Sequence, residues 1–468
     1  MKAMRVAACV GWVPALLCAQ QPPAGTPPSR AVVVARLDSL ARAFLHEAPA
    51  VGATVAVVKG ADTLLLEGVG ERDRDRHRSA NTSTVYHVGS ITKQFTAAAV
   101  MRLVDAGRMH LTDSLRTLLP QYPQWRSVTL RQLLNHTSGI HSYTSDAARA
   151  RTWTSDPSPA AVVAFVARDT LDFAPGTQWR YNNTGYILLG MVLERTTGMP
   201  YARLLRRDFF TPLGMQSATS CPSRPTHGDY AMGYDLTAGT IAPTRYTGVL
   251  HYSAGALCMS VPDFLRWQAA LTSGRVVPAA TYERMSTSDT LDTGEKANYG
   301  FGLMPARLGT HVVVHHGGDV PGFSAEQLWL PDDTLRVIVF TNTLGSNPKF
   351  LADNLASAVL GLPLRTKTKV PDSVVLAAAD RAHYEGIYDI MQPGGHVLPV
   401  RLFSDGTGLM ARGEGPGQGT FRLVYLGHDT FGAEFDASLR LTVLFEHGQP
   451  VKALLQQRGF SMIGPRRP

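Results

Sequence analysis

The sequence predicts an α+β protein: one antiparallel sheet flanked by helices, followed by a small all-β barrel at the C terminus. Two observations predict the first part. Strand-like runs lie near its beginning and its end, and the middle between them has helical spacing. A third predicts the barrel, because the chain closes in short alternating runs separated by Gly, Asp and Pro. With 468 residues, of which 44% are hydrophobic and 18% charged, the chain is globular and long enough for more than one domain, which excludes a disordered chain.

Met1-Lys2-Ala3-Met4-Arg5, the apolar stretch Val6 to Leu17 and then Ala19 have the form of a secretory signal peptide over residues 1–19. Its core is shorter than the roughly 20 residues a spanning helix needs, so the expectation is export with cleavage and no stable membrane span in the mature chain. The destination is then the periplasm or the medium. A Pro-rich leader fills 20–30, and Cys18 follows a leucine too bulky for a lipid-attachment signal. Of four cysteines, Cys221 and Cys258 remain in the mature chain, either as one disulfide or as two buried thiols. Net charge is +8, modestly basic and dispersed, and the densest run, Glu71 to Arg76, alternates in sign. A solvated loop fits that run better than a nucleic-acid patch, so no nucleic-acid partner is expected.

Along the chain, Ala31 to His46 has helical spacing, and Gly52 to Val58 with Thr63 to Gly70 predict a hairpin turning at Lys59-Gly60-Ala61-Asp62. A helix opens at Ser90 and stops near Gly107, and a short one follows with Thr129 as its cap. Helical runs continue at Ala160 to Ala167, Ile187 to Thr196, Tyr201 to Phe209 and Val261 to Leu271. Strands return at His311 to His316, Ala325 to Leu330 and Leu335 to Asn342, before a helix at Phe350 to Leu360. A basic, Pro-containing linker is expected over 363–380 and the barrel over 381–468.

The chemistry centres on His87-Val88-Gly89-Ser90-Ile91-Thr92-Lys93. Residues three apart share a helix face, so Ser90 Oγ and Lys93 Nζ meet on one side of the helix. A buried amine whose pKa is lowered by desolvation takes a proton from a serine hydroxyl, and the helix start favours a developing oxyanion. The pattern recurs as Ser346-Asn347-Pro348-Lys349, which lacks the alanine-rich helix and is read as the solvated start of another helix. Tyr181-Asn182-Asn183, just before an apolar helix, can aim a phenol and an amide into one cleft. His136, Thr137 and Ser138 are expected to tie loops together. In His315-His316-Gly317-Gly318-Asp319 the glycines allow a substrate near the backbone, and a following N–H can serve as an oxyanion donor. Neighbouring strand residues face opposite ways, so the histidine pair does not suit a metal, and no Cys/His metal spacing or phosphate loop appears elsewhere.

Taken in order, Ser-x-x-Lys, Tyr-x-Asn and His-x-Gly resemble the serine β-lactamase and penicillin-binding protein superfamily, in the branch of class C β-lactamases, D-alanyl-D-alanine carboxypeptidases and esterases. The resemblance spans residues 31–362, and the terminal barrel resembles the lipocalin-like domains appended to some of these hydrolases. It implies Ser90 as acylated nucleophile, Lys93 as its base, Tyr181 as proton relay and Asn183 as a substrate-positioning amide. The third motif has two registers. Counting back from Gly322-Phe323 selects His316-Gly317-Gly318, with His316 in the cleft and the Asp319 N–H as oxyanion donor; the other uses His315 and the Gly318 N–H. Class C β-lactamases carry Lys-Thr-Gly where this chain has His, as peptidase or esterase-like members of the family often do, and a neutral imidazole anchors a carboxylate less firmly than an ammonium, which argues against efficient β-lactam hydrolysis.

The expected function is therefore an exported serine hydrolase cleaving an amide or ester of a D-amino-acid peptide, small ester or β-lactam, with no metal or organic cofactor. Its expected partner is a small-molecule or peptide substrate. The alternative is a penicillin-binding-like envelope protein that binds without turnover.

Overall fold

The structure, a computed structural model, describes residues 29–47, 50–145, 157–167, 170–222, 228–237, 240–244, 251–365, 374–391, 397–406, 408–413, 420–433, 436–457 and 460–467. The stretch expected to be a signal peptide, nearly all of the expected leader and the middle of the expected linker lie outside the described residues.

After a helix over Arg30–Glu47, the hairpin forms as β1 (Gly52–Lys59) and β2 (Asp62–Asp73), with β3 (Arg78–Ser79) at its edge. β4 (Tyr86–His87) leads into the serine segment, a 3-10 turn at Gly89–Ile91 followed by the helix Thr92–Asp105. β5 (Thr219–Ser220), β6 (Tyr234–Thr237), β7 (Thr240–Pro243) and β8 (Leu257–Met259) are short, and the long strands resume as β9 (Met304–Leu308), β10 (His311–Val320), β11 (Phe323–Leu330) and β12 (Leu335–Thr341). Among the described residues the main sheet has the order β3-β2-β1-β12-β11-β10-β9. β1 pairs with β12 through Ala53 to Thr341 and Lys59 to Leu335, so one sheet is indeed closed by the two ends of the domain. The pairing is antiparallel between all neighbours.

Both faces of this sheet are covered. On one lie the helices Arg30–Glu47 and Pro348–Leu360, packed on Val55, Val57, Val337 and Val339. On the other lies the helical middle, packed on Ala56, Ile338 and Phe340. Every residue of β11 is buried, the polar Ser324, Glu326 and Gln327 included; each large apolar side chain so buried contributes about 1.5–3 kcal/mol. Within the helical layer Phe95 stacks on Trp267 at 3.9 Å, and the Trp267 Nε1–H donates to Gln94 Oε1 at 2.7 Å, pinning the serine helix by one face and one polar bond. That helix ends at Gly107, whose φ of +66° is the left-handed turn a glycine stop supplies.

Local departures from expectation have physical reasons. The charged run 71–76 is not a simple solvated loop: it finishes β2, and Asp73, 4% exposed, accepts from the Arg76 guanidinium. Ser346 is 1% exposed and donates to Thr343 O, while Lys349 pairs with Asp353, so this second Ser-x-x-Lys is a buried helix start. β9 and the helix Ala279–Ser286 extend the sheet and helical layer beyond the expected elements.

The C-terminal strands form a separate sheet in strict sequence order, from Gly386–Met391 to Phe460–Pro465. Its ends approach: Tyr388 bridges to Arg466, and the Arg467 N–H donates to Ile387 O at 2.7 Å, giving a nearly closed barrel. Tyr388, Leu402, Ala411, Phe431, Val443 and Ala453 fill its interior.

A disulfide joins Cys221 to Cys258, which resolves the choice left open by sequence. It links the chain after β5 to β8, and β8 pairs with β4 directly before Ser90. Cys221→Ser should cost about 2–4 kcal/mol of unfolding free energy, the scale expected from the 37-residue separation. Urea denaturation measures it, and a loss under about 1 kcal/mol would contradict a bridging role.

Candidate active site

Ser90 is half-buried at the start of its helix, preceded by Gly89 at φ +51°, a conformation in which a side chain would be strained. Lys93 lies one turn further and is 0% exposed. Its Nζ is 3.0 Å from Ser90 Oγ, 2.7 Å from Asn183 Oδ1 and 2.7 Å from the Ala254 carbonyl. The last two atoms can only accept, and the Asn183 amide is oriented by its Nδ2–H, which donates to Thr144 Oγ1 at 2.9 Å. A neutral amine has two N–H bonds and one lone pair. Two acceptors on two sides therefore leave the lone pair for the Ser90 hydroxyl.

Burial pushes the Lys93 amine well below its usual 10.5, with no carboxylate in contact to hold the proton. Its neighbours on the remaining side are the rings of Tyr181, at 4.7 Å, and Tyr186, at 5.4 Å. The Tyr181 hydroxyl is buried and without a hydrogen-bond partner among the described residues. Desolvation raises its pKa, and the Ser90 hydroxyl beside it, short of hydrogen-bond geometry, offsets this only in part. Tyr181 is thus a neutral donor at any physiological pH.

The segment Gly317-Gly318-Asp319 passes directly behind Ser90. A Cβ on Gly318 would lie 2.1 Å from Val88 O and 2.9 Å from Ser90 N, and one on Gly89 would lie 2.9 Å from Asp319 N. Only glycines permit this approach, and it brings the backbone nitrogens of Ser90 and Asp319 to one small volume. Asp319 is exposed, and its carboxylate accepts from Ser324 Oγ at 2.6 Å.

His316 is placed differently from the cleft-lining, carboxylate-anchoring role its motif suggests. Its ring is 2% exposed, Nδ1 is 2.6 Å from Gly317 O and Nε2 is 2.9 Å from the Tyr299 hydroxyl. Burial above all lowers its pKa to about 3. Both ring nitrogens are engaged within the protein, so neither is offered to a ligand. His315 points to the other face of β10, where Nδ1 meets Glu326 Oε1 at 3.0 Å, and the two histidines do not converge on a metal. His87, Cys221 and Cys258 do come close together, but the two sulfurs are bonded to each other, so no thiolate ligand is available there.

Two contributors were not foreseen from the sequence, and a third does more than expected. The Ala254 carbonyl comes from a single helical turn, Tyr252–Gly255, held against the serine helix by Thr96 Oγ1–H donating to Ser253 O at 2.7 Å. Tyr299 comes from a loop. His136 does tie loops, its Nδ1 accepting from Asn182 N at 3.1 Å, but its ring also packs 4.4 Å from both Tyr181 and Tyr299. An aromatic inside a loop was the one available signal for Tyr299; a carbonyl leaves none.

Among known proteins, the Beta-lactamase family matches residues 37–362. A D-aminopeptidase of Gluconobacter oxydans is 28% identical over 333 residues, covering 70% of this chain and 62% of that protein. Among solved structures, an octameric penicillin-binding protein homologue from Pyrococcus abyssi superposes with a TM-score of 0.67 at 25% identity, covering 92% of this chain and 99% of that one. A D-stereospecific amidohydrolase from Streptomyces superposes with a TM-score of 0.61 at 27% identity, covering 72% and 100%.

The contact of Gly318 with Val88 is between backbones, which cannot yield as a side chain would. Gly318→Ala should destabilise the fold by about 2–4 kcal/mol, whereas Gly345→Ala, with no atom near its Cβ position, carries only the cost of its positive φ, about 1 kcal/mol. Denaturation of the two variants checks this, and equal losses would contradict it.

Proposed function

The chain belongs to the Beta-lactamase family, and from that premise we propose that it is a serine hydrolase cleaving an amide or ester of a D-amino-acid derivative through an acyl-enzyme on Ser90. The observation that carries the proposal is the Lys93 amine, buried at 0% exposure and 3.0 Å from Ser90 Oγ with its other two directions held by carbonyl acceptors. D-configured substrates are suggested by two of the relatives, one named a D-aminopeptidase and the other a D-stereospecific amidohydrolase.

In the proposed reaction the Lys93 lone pair takes the Ser90 proton as Oγ bonds to the substrate carbonyl carbon. The negative oxygen that develops faces the backbone N–H groups of Ser90 and Asp319. Collapse of that intermediate breaks the bond to the leaving group, which takes the proton from the Lys93 ammonium by way of the Tyr181 hydroxyl. Water then adds to the acyl carbon, giving a proton back to Lys93, and the acid departs as Ser90 regains its own. Export to an oxidising compartment is part of the same proposal, supported by the signal-like N-terminus and by the Cys221–Cys258 bond.

Intact-mass measurement with an activated ester, penicillin and D-alanyl-D-alanine amide tests the proposal. An adduct on Ser90 with product release is expected, and Ser90→Ala should lose the adduct and about 10⁴-fold or more in kcat. An adduct that never turns over would instead support the binding-protein reading, and turnover unchanged by Ser90→Ala would refute both.

The pH dependence has a definite sign. Because burial depresses the Lys93 pKa, the neutral base is present above the depressed value and lost below it. The kcat/KM for a neutral ester should rise with pH through that value and then stay level through the ordinary lysine range. A rise centred near 10.5 would contradict the assignment of Lys93 as base.

A further inference from the structure

The Gly317 carbonyl can only accept, so His316 Nδ1, 2.6 Å away, carries the ring proton. A neutral imidazole has no second N–H, so Nε2 is an acceptor and the Tyr299 hydroxyl, at 2.9 Å, is its donor. Tyr299 is itself fully buried, its ring lying 4.4 Å from His136 and 6.2 Å from both Trp179 and Tyr181. The titratable groups around His316 are Lys93 on the serine helix, Tyr181 and His136 on the loops beside it, and Tyr299. Its own strand adds His315 and Asp319, with Glu326 across the pair on β11. Burial disfavours a positive charge at His316, and Glu326 is engaged by His315 on the opposite face.

We propose that Tyr299 is a positioning residue that holds His316 in one neutral tautomer. The His316 Nδ1–H thereby clamps the Gly317 carbonyl, keeping Gly318 and Asp319 behind Ser90, and the cleft is denied the cation that would receive a carboxylate on the leaving side of the substrate. Resting on the hydrolase reading above, this narrows the substrate class to D-amino-acid amides and esters whose leaving part is uncharged, over peptides that end there in a free carboxylate.

Two measurements on the full chain test it. In ¹⁵N-histidine NMR, His316 should show the Nδ1–H tautomer with no titration between pH 5 and pH 8. Tyr299→Phe, which keeps the ring and its packing, removes the donor to Nε2, so the single Nδ1–H tautomer should give way to a mixture while the buried ring still does not titrate in that range. In kinetics, D-alanyl-D-alanine amide and D-alanyl-D-alanine present the same scissile bond and differ in terminal charge. The native protein should favour the amide by about tenfold or more in kcat/KM, at a ratio independent of pH. In Tyr299→Phe the loosened clamp on the Gly317 carbonyl should lower kcat for the amide about tenfold with KM little changed, while the ratio stays as in the native protein; a merely structural role would leave the tautomer signature unmoved. A native His316 that titrates near 6.5, a native protein with no preference for the amide, or a variant whose tautomer matches the native protein overturns the proposal. If neither substrate turns over while the tautomer is as stated, the hydrolase reading fails and the positioning role of Tyr299 stands, since the NMR reading needs no turnover.

Discussion

A primary amine buried without a counter-ion is the constraint on which the site depends. Lys93 is fully enclosed, yet its partners are a hydroxyl, an amide oxygen and a backbone carbonyl, none of them charged. Desolvation then decides the protonation state, because no nearby carboxylate repays the loss of water around an ammonium. The unfolded chain holds a proton that the folded one releases, so below the ordinary lysine pKa this residue subtracts from stability, increasingly so as pH falls towards the folded value. Such a cost persists when the surrounding structure fixes the group for a purpose.

That surrounding structure comes from three distant parts of the chain. The serine helix brings Lys93, the start of the helix Asn183–Thr197 brings the amide, and the turn Tyr252–Gly255 brings the carbonyl. Each is anchored apart from the chemistry. Trp267 and Gln94 secure the serine helix, Asn182 caps the second helix by accepting from Gly185 N at 2.7 Å, and β8 with its disulfide fixes the exit of the third segment against β4. Behind them β10 narrows to glycine where it passes Ser90, and its two histidines are each tied on their own face, His316 to Tyr299 and His315 to Glu326. A strand without side chains over two residues is thus steadied by those preceding them.

The long elements were legible in the sequence because their patterns are long. The hairpin β1–β2, the strands β10 to β12, the alanine-rich serine helix and most of the barrel runs match observed elements, and the pairing of Ser90 with Lys93 followed from helical spacing alone. What escaped carries no period. β4, β5 and β8 have two or three residues each, too few to alternate, although they determine where Ser90 and Ala254 stand. The last barrel strand, Phe460–Pro465, contains a glycine and ends in proline, and both mute the strand signal. Ala254 acts through its backbone, so no side chain announces it. His316 shows the opposite failure: its residue type suggested contact with substrate, while the tertiary structure enclosed the ring and used both nitrogens.

The charge on Lys93 is the point on which the account turns, and the ¹⁵N chemical shift of its side-chain nitrogen at pH 7 reads that charge without any substrate. In protein labelled with ¹⁵N-lysine and assigned by a Lys93→Arg variant, the account predicts a resonance in the neutral-amine range, apart from the ammonium signals of the surface lysines. A Lys93 resonance that stays with those ammonium signals and titrates near 10.5 would contradict it.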